Sequence, residues 1–133
     1  MPVDVRIIKI RDYVHLTPKG EEDLAHLKQV LSDAATIPGI FTDFNLLIDS
    51  RGLETNLSVF QLWELAQHLA TIIHKGSSKG FPAKIAVLCP LERFDLAEFF
   101  SLCAQNRGLR MRPFTAIEDL FSWMSEVSIP DHG

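Results

Sequence analysis

Asp49, Ser50 and Arg51 stand in succession after an apolar run, and Ser58 follows seven positions beyond Arg51. By type and spacing, these four side chains come closest to a chemical arrangement. A carboxylate at the end of a central strand is the phospho-acceptor in response-regulator receiver domains, but those also carry an acidic pair after the first strand and a lysine after the last. Arg11-Asp12 and Arg112-Pro113 occupy those places, so Asp49 is read as the partner of Arg51 in a local turn or ion pair, with Ser50 a turn residue between them. Ser58 carries two readings. Its hydroxyl would cap a helix by accepting a backbone N–H, and Gln61 three residues on completes the capping-box spacing. Reached by a kinase, the same hydroxyl would carry a phosphate stabilised by the helix N-terminus.

Other reactive residue types are scattered. Cys89 and Cys103 each lie in an apolar context, as small core residues of a reducing compartment do. His15, His26, His68, His74 and His132 form no His-x-x-x-His or Glu-x-x-His pattern, so no metal site is expected. Gly76 and Gly80 bracket a loop that lacks the Lys-Ser/Thr of a phosphate loop, and no cofactor is expected. Ser50 and Cys89 have no local base. These absences point away from an enzyme.

The elements that must position these residues follow from periodicity. Residues 5–10 and 13–17 are β-rich runs separated by Arg11-Asp12, which predicts two antiparallel strands with the first at a sheet edge. Thr17-Pro18 offers a helix start, and Leu24, Leu27, Leu31 and Ala34 follow at helical spacing. Residues 44–48 are apolar on both faces, as in an interior parallel strand. A helix over 58–75 buries Val59, Leu62, Ala66, Leu69 and Ile73. A strand over 84–88 leads through Pro90 into a helix over 92–106, with Leu96, Phe99, Phe100 and Cys103 as its apolar side. A last strand over 109–114 precedes Thr115 and Glu118, a second capping-box spacing. The terminal helix then carries Ile117, Leu120, Phe121 and Met124 inward. The order β-β-α-β-α-β-α-β-α predicts an α/β fold with a mostly parallel sheet of about five strands and four main helices.

Composition bounds the function. A chain of 133 residues with 47% hydrophobic content is read as one globular domain with its core over about 5–124. The net charge of −4 argues against a nucleic-acid surface, and Arg107, Arg110 and Arg112 are the nearest approach to a basic cluster. No stretch approaches the ~20 apolar residues of a membrane span, no targeting segment is visible, and a cytoplasmic setting is expected.

Leu46-Leu47-Ile48-Asp49-Ser50-Arg51-Gly52, then Ile85-Ala86-Val87, then the segment from Phe114 to Met124 resemble the SpoIIAA-like proteins of the STAS class, named for sulfate transporters and anti-sigma-factor antagonists. The resemblance runs from about Val5 to Met124. It implies a single α/β domain that works through protein contacts or small-ligand sensing, without catalysis of its own. In the anti-sigma antagonists a junction motif Asp-Ser-Ser-Gly carries the phosphorylated serine. The matching junction here is Asn56-Leu57-Ser58-Val59, which makes Ser58 the acceptor by position, beside Asn56, but lacks the flanking Asp and Gly. The expectation is therefore the unmodified cap.

Two surfaces for partners are anticipated. Phe60 and Trp63 lie on a helix that already has an apolar stripe, so they mark a face for an unidentified protein partner or a homodimer. The competing reading is a small hydrophobic ligand, as in the Sec14-type lipid carriers of related topology. Its pocket would be lined by Phe60, Trp63, Phe94, Phe99, Phe100 and Trp123.

Overall fold

A computed structural model of the chain describes residues 7–10, 13–17, 20–21, 23–37, 45–54, 57–76 and 84–126. Seven strands and four helices alternate along these residues: β1 Ile7–Ile10, β2 Tyr13–Leu16, β3 Gly20–Glu21, α1 Leu24–Ala35, β4 Asn45–Asp49, β5 Leu53–Glu54, α2 Val59–Gly76, β6 Lys84–Leu88, α3 Phe94–Gln105, β7 Arg110–Phe114 and α4 Ile117–Ser125. A turn of 3-10 helix, Leu91–Arg93, leads into α3.

Five strands form one sheet in the order β1-β2-β4-β6-β7, and β3 pairs with β5 apart from it. β1 is the antiparallel edge, paired Ile7 to Leu16 and Ile10 to Tyr13, and the other four strands run parallel. Each crossover moves the chain one strand further in the same direction, so a common right-handed sense places α1, α2 and α3 on one face. Strand alternation then sorts the side chains. Leu16, Leu46, Ile85, Val87 and Met111 join the cluster under these three helices, whereas Leu47, Ala86, Leu88 and Phe114 join Leu120, Trp123 and Met124 of α4 on the opposite face.

Every residue of β6 is buried, Lys84 included. Its ammonium donates to the carbonyls of Trp123 (2.8 Å), which also accepts the Glu126 N–H, and of Glu126 (2.6 Å), at the end of α4. Burial and the nearby Arg110 push the Lys84 pKa down, against the pull of Glu126. Lys84 thus ties the last helix to the central strand. On the helical face, His68 Nε2 lies 3.0 Å from Ser32 Oγ and 3.2 Å from the Lys28 carbonyl, and Lys28 bonds to Glu64, so α1 and α2 are joined by polar contacts at their rim.

Several boundaries differ from the sequence reading. α1 is capped by Asp23, whose carboxylate accepts the His26 N–H at 2.9 Å, and not by Thr17. The residues between them include Gly20–Glu21, drawn into parallel pairing with Leu53–Glu54. α4 begins after Ala116 without a side-chain cap, so the Thr115–Glu118 box is not made. Val59, Leu96, Ile117 and Phe121, all expected inward, are exposed, while Leu65, Ala70, Ala97, Ala104 and Trp123 take buried places. An apolar stripe wider than the contact face leaves its margins in water.

Candidate functional site

β4 ends with Asp49 on the same side of the sheet as Leu47, the face opposite α1–α3. The residue is 7% exposed. Arg51 holds it in a fork: Nε donates to Oδ1 at 2.9 Å, Nη2 to Oδ2 at 2.8 Å, and the Arg51 backbone N–H to Oδ1 at 3.1 Å. His15 on β2 stands across from Leu47, with Nε2 3.9 Å from Oδ2. Burial raises the Asp49 pKa, but the hydrogen bonds from Arg51, its charge and that of His15 outweigh burial and hold the carboxyl below its ordinary range. Ser50 donates both its N–H (2.8 Å) and its hydroxyl (2.9 Å) to the Leu88 carbonyl, and its own carbonyl accepts from Leu53 in the following turn. Asp49 is thus held as a structural carboxylate by the Arg51 fork, and Ser50 is tied to β6, while His15 Nε2 beside them is buried without a hydrogen-bond partner.

Ser58 sits at the start of α2, exposed. Its Oγ accepts the Gln61 N–H at 3.2 Å, and Gln61 Oε1 accepts the Ser58 N–H at 3.0 Å, the reciprocal pair of a capping box. Asn56 lies outside the described residues. The structure brings Asp49 together with Arg51 and His15, while the described bonds of Ser58 run into its own helix.

Phe60, 71% exposed, meets Trp63, 39% exposed, with ring centroids 5.9 Å apart. The Arg107 guanidinium lies 5.1 Å above the Trp63 ring. Six of the nine large apolar side chains exposed among the described residues (Val59, Phe60, Trp63, Leu91, Leu96 and Leu102) belong to α2, α3 or the turn before α3. Arg110 and Arg112 are exposed on β7, and Arg112 covers the rings of Phe114 and Trp123, each at 5.6 Å.

The sequence reading missed a cavity of about 140 Å³ between the sheet and α1–α3, at the carboxyl ends of β2, β4 and β6. Its walls are Leu16, Ile48 and Val87 from the strands, Leu27, Val30 and Leu31 from α1, Leu57 and then Leu62, Leu65 and Leu69 of α2, and Leu96, Ala97 and Phe100 of α3. Leu53, Ser50, Cys89 and Arg93 complete it. Of the six aromatics proposed as pocket walls, Phe100 alone lines it. Trp123 lies on the opposite face, and Phe60 and Trp63 stand outside. The only local signal was the density of leucines in α1 and α2 beyond a single stripe. Burial raises the thiol pKa of Cys89, whose Sγ donates to the Phe114 carbonyl at 3.5 Å. Burial likewise raises that of Cys103, against Arg107. Both thiols therefore stay protonated at neutral pH, far from the thiolate a nucleophile needs. Among the described residues, no three His, Cys, Asp or Glu side chains gather as metal ligands, and no helix is long and apolar enough to cross a membrane.

No family model matches the chain, and no curated protein does. Among solved structures it is similar to an uncharacterised protein of the DUF3478 family with a SpoIIAA-like fold from Shewanella loihica PV-4, with a TM-score of 0.55 and 19% identity. The match covers 92% of this chain and 93% of that one. The chain therefore has a SpoIIAA-like α/β fold.

Two predictions follow from the polar groups. Because the Asp49 pKa is depressed on folding, its stabilisation is whole above the unfolded value and is lost as pH falls through the folded one. In denaturant titrations between about pH 5 and pH 2, Asp49→Asn should lose stability less steeply than the parent chain; equal slopes would show that Arg51 does not favour the carboxylate. At the helix start, Ser58→Ala should cost about 1 kcal/mol, with Ser58→Asp keeping most of the stability because a carboxylate also caps. An unchanged midpoint for Ser58→Ala would remove the cap.

Proposed function

We propose that this chain is a non-enzymatic STAS-type regulatory module, one domain acting in the cytoplasm through protein contacts made by the exposed apolar side of α2. The observation that carries this reading is the exposed, tilted ring pair Phe60 and Trp63, on a helix whose opposite side packs into the core. Scattered exposed apolar residues are ordinary, but a concentration on one pair of neighbouring helices is what partner surfaces display. Trp63 beneath Arg107 adds the residue types enriched at interface hot spots. The first partner to consider is a second copy of the chain, since a two-fold contact would stack the same aromatic pair against itself. Ser58 borders this surface, so a phosphate there would add charge at the contact; its cap geometry accounts for the residue without that modification.

A second reading is favoured by the cavity. Its apolar walls at the carboxyl ends of parallel strands are the setting in which α/β sheets take ligands, which supports binding of a small hydrophobic molecule.

Sedimentation velocity at micromolar concentration tests the first reading. The parent chain should sediment as a dimer, and Trp63→Glu or Phe60→Glu should yield folded monomer. A parent monomer, or a dimer indifferent to both substitutions, would remove α2 as the self-contact.

A further inference from the structure

Among the described residues that line the cavity, Arg93 is the only charged one. It stands at the junction of the 3-10 turn and α3, half-buried, and its guanidinium donates through Nη1 to the Leu53 carbonyl. Among the described residues no carboxylate is seen to pair with it; the ion pairs described there join Asp49, Arg51 and His15, or Lys28 and Glu64. The other polar lining groups are occupied elsewhere, Ser50 on the Leu88 carbonyl and Cys89 on the Phe114 carbonyl. A guanidinium carries five donors and is always charged, and bordering an apolar space without a counter-charge is costly. An anion at that point would satisfy the fork of donors bidentately.

We propose that the cavity takes a small monocarboxylate, its hydrocarbon body among the leucines and its carboxylate on Arg93. This inference rests on the ligand reading given above as the second function. The size of the body follows from the volume: a dry apolar cavity of ~150 Å³ holds a benzene-sized molecule, so one of about 140 Å³ suits a body of about six carbons. The specificity follows from the charge. An alcohol of the same length fills the leucine walls equally but leaves the guanidinium without a counter-ion. A shorter acid keeps the ion pair and loses about a methylene's burial for each carbon removed.

The test is a titration of the full chain, followed by backbone amide NMR shifts, with hexanoate, hexan-1-ol and butyrate. Hexanoate should bind at least about tenfold more tightly than hexan-1-ol, the effect of one added charge-assisted hydrogen bond. Butyrate should be weaker than hexanoate. Arg93→Gln, which retains a donor for the Leu53 carbonyl, should bring the acid and the alcohol to parity, and Arg93→Lys should keep part of the preference. Equal affinities in the parent chain, or a preference that survives Arg93→Gln in a folded variant, would overturn the carboxylate assignment and leave the hydrophobic-ligand reading standing. Failure of both hexanoate and hexan-1-ol to shift any lining residue would overturn the assignment and that reading together.

Discussion

Burial of the central strands on both faces is the constraint on which the rest of the structure depends. β6 is buried along its whole length, and β4 sends Leu46 to one face and Leu47 to the other. A strand of this kind needs cover above and below. Three crossover helices supply it on one side, and the short α4 supplies it on the other, held by the Lys84 ammonium at its carbonyl end. Small side chains decide how closely the helices approach: Ala66, Ala70 and Ala104 are fully enclosed beside Leu69 and Ile73. Toward the carboxyl ends of the strands leucines face one another instead, and there the packing stays open as the cavity. Close packing is the rule in protein interiors, so side chains bordering a space of this size make fewer dispersion contacts with one another than those over the alanines.

The polar and apolar groups divide the labour. Asp49, Ser50 and Arg51 close on one another and on the backbone of β6, so the residues that look most chemical form part of the frame. His68 bridges two helices and His74 lies 2.7 Å from the Arg107 carbonyl, which gives these imidazoles local structural partners. Among the described residues, Phe60 and Trp63 on the outside, Arg93 beside the leucines within, and the buried His15 Nε2 and Ser101 Oγ keep unused binding capacity.

Much of the frame was legible because its signals are local. The continuous apolar runs of β4 and β6, the Ser58–Gln61 spacing, and the switch of period between strand and helix each depend on neighbours within a few residues. The start of α1 was not legible, because Gly20–Glu21 pairs with Leu53–Glu54, more than thirty positions away, and Asp23 takes the cap that Thr17 was expected to supply. At the other end Thr115 and Glu118 have the right spacing, yet Ala116 precedes α4 without a side-chain cap. The cavity was hidden for the same reason as the β3–β5 pair. Leu31, Leu62 and Phe100 are ordinary stripe residues one helix at a time, and only the convergence of three helices over the strand ends makes them walls.

The packing is closed over the alanines and open at the strand ends. Methyl-resolved NMR of leucine-labelled protein under dissolved xenon, an uncharged apolar probe, measures this directly. The methyls of Leu31, Leu62 and Leu65, which line the cavity, should shift and saturate together, while those of Leu120 on the opposite face stay in place. Xenon shifts that are absent, or equal at Leu120, would contradict an open apolar space between the sheet and its three helices.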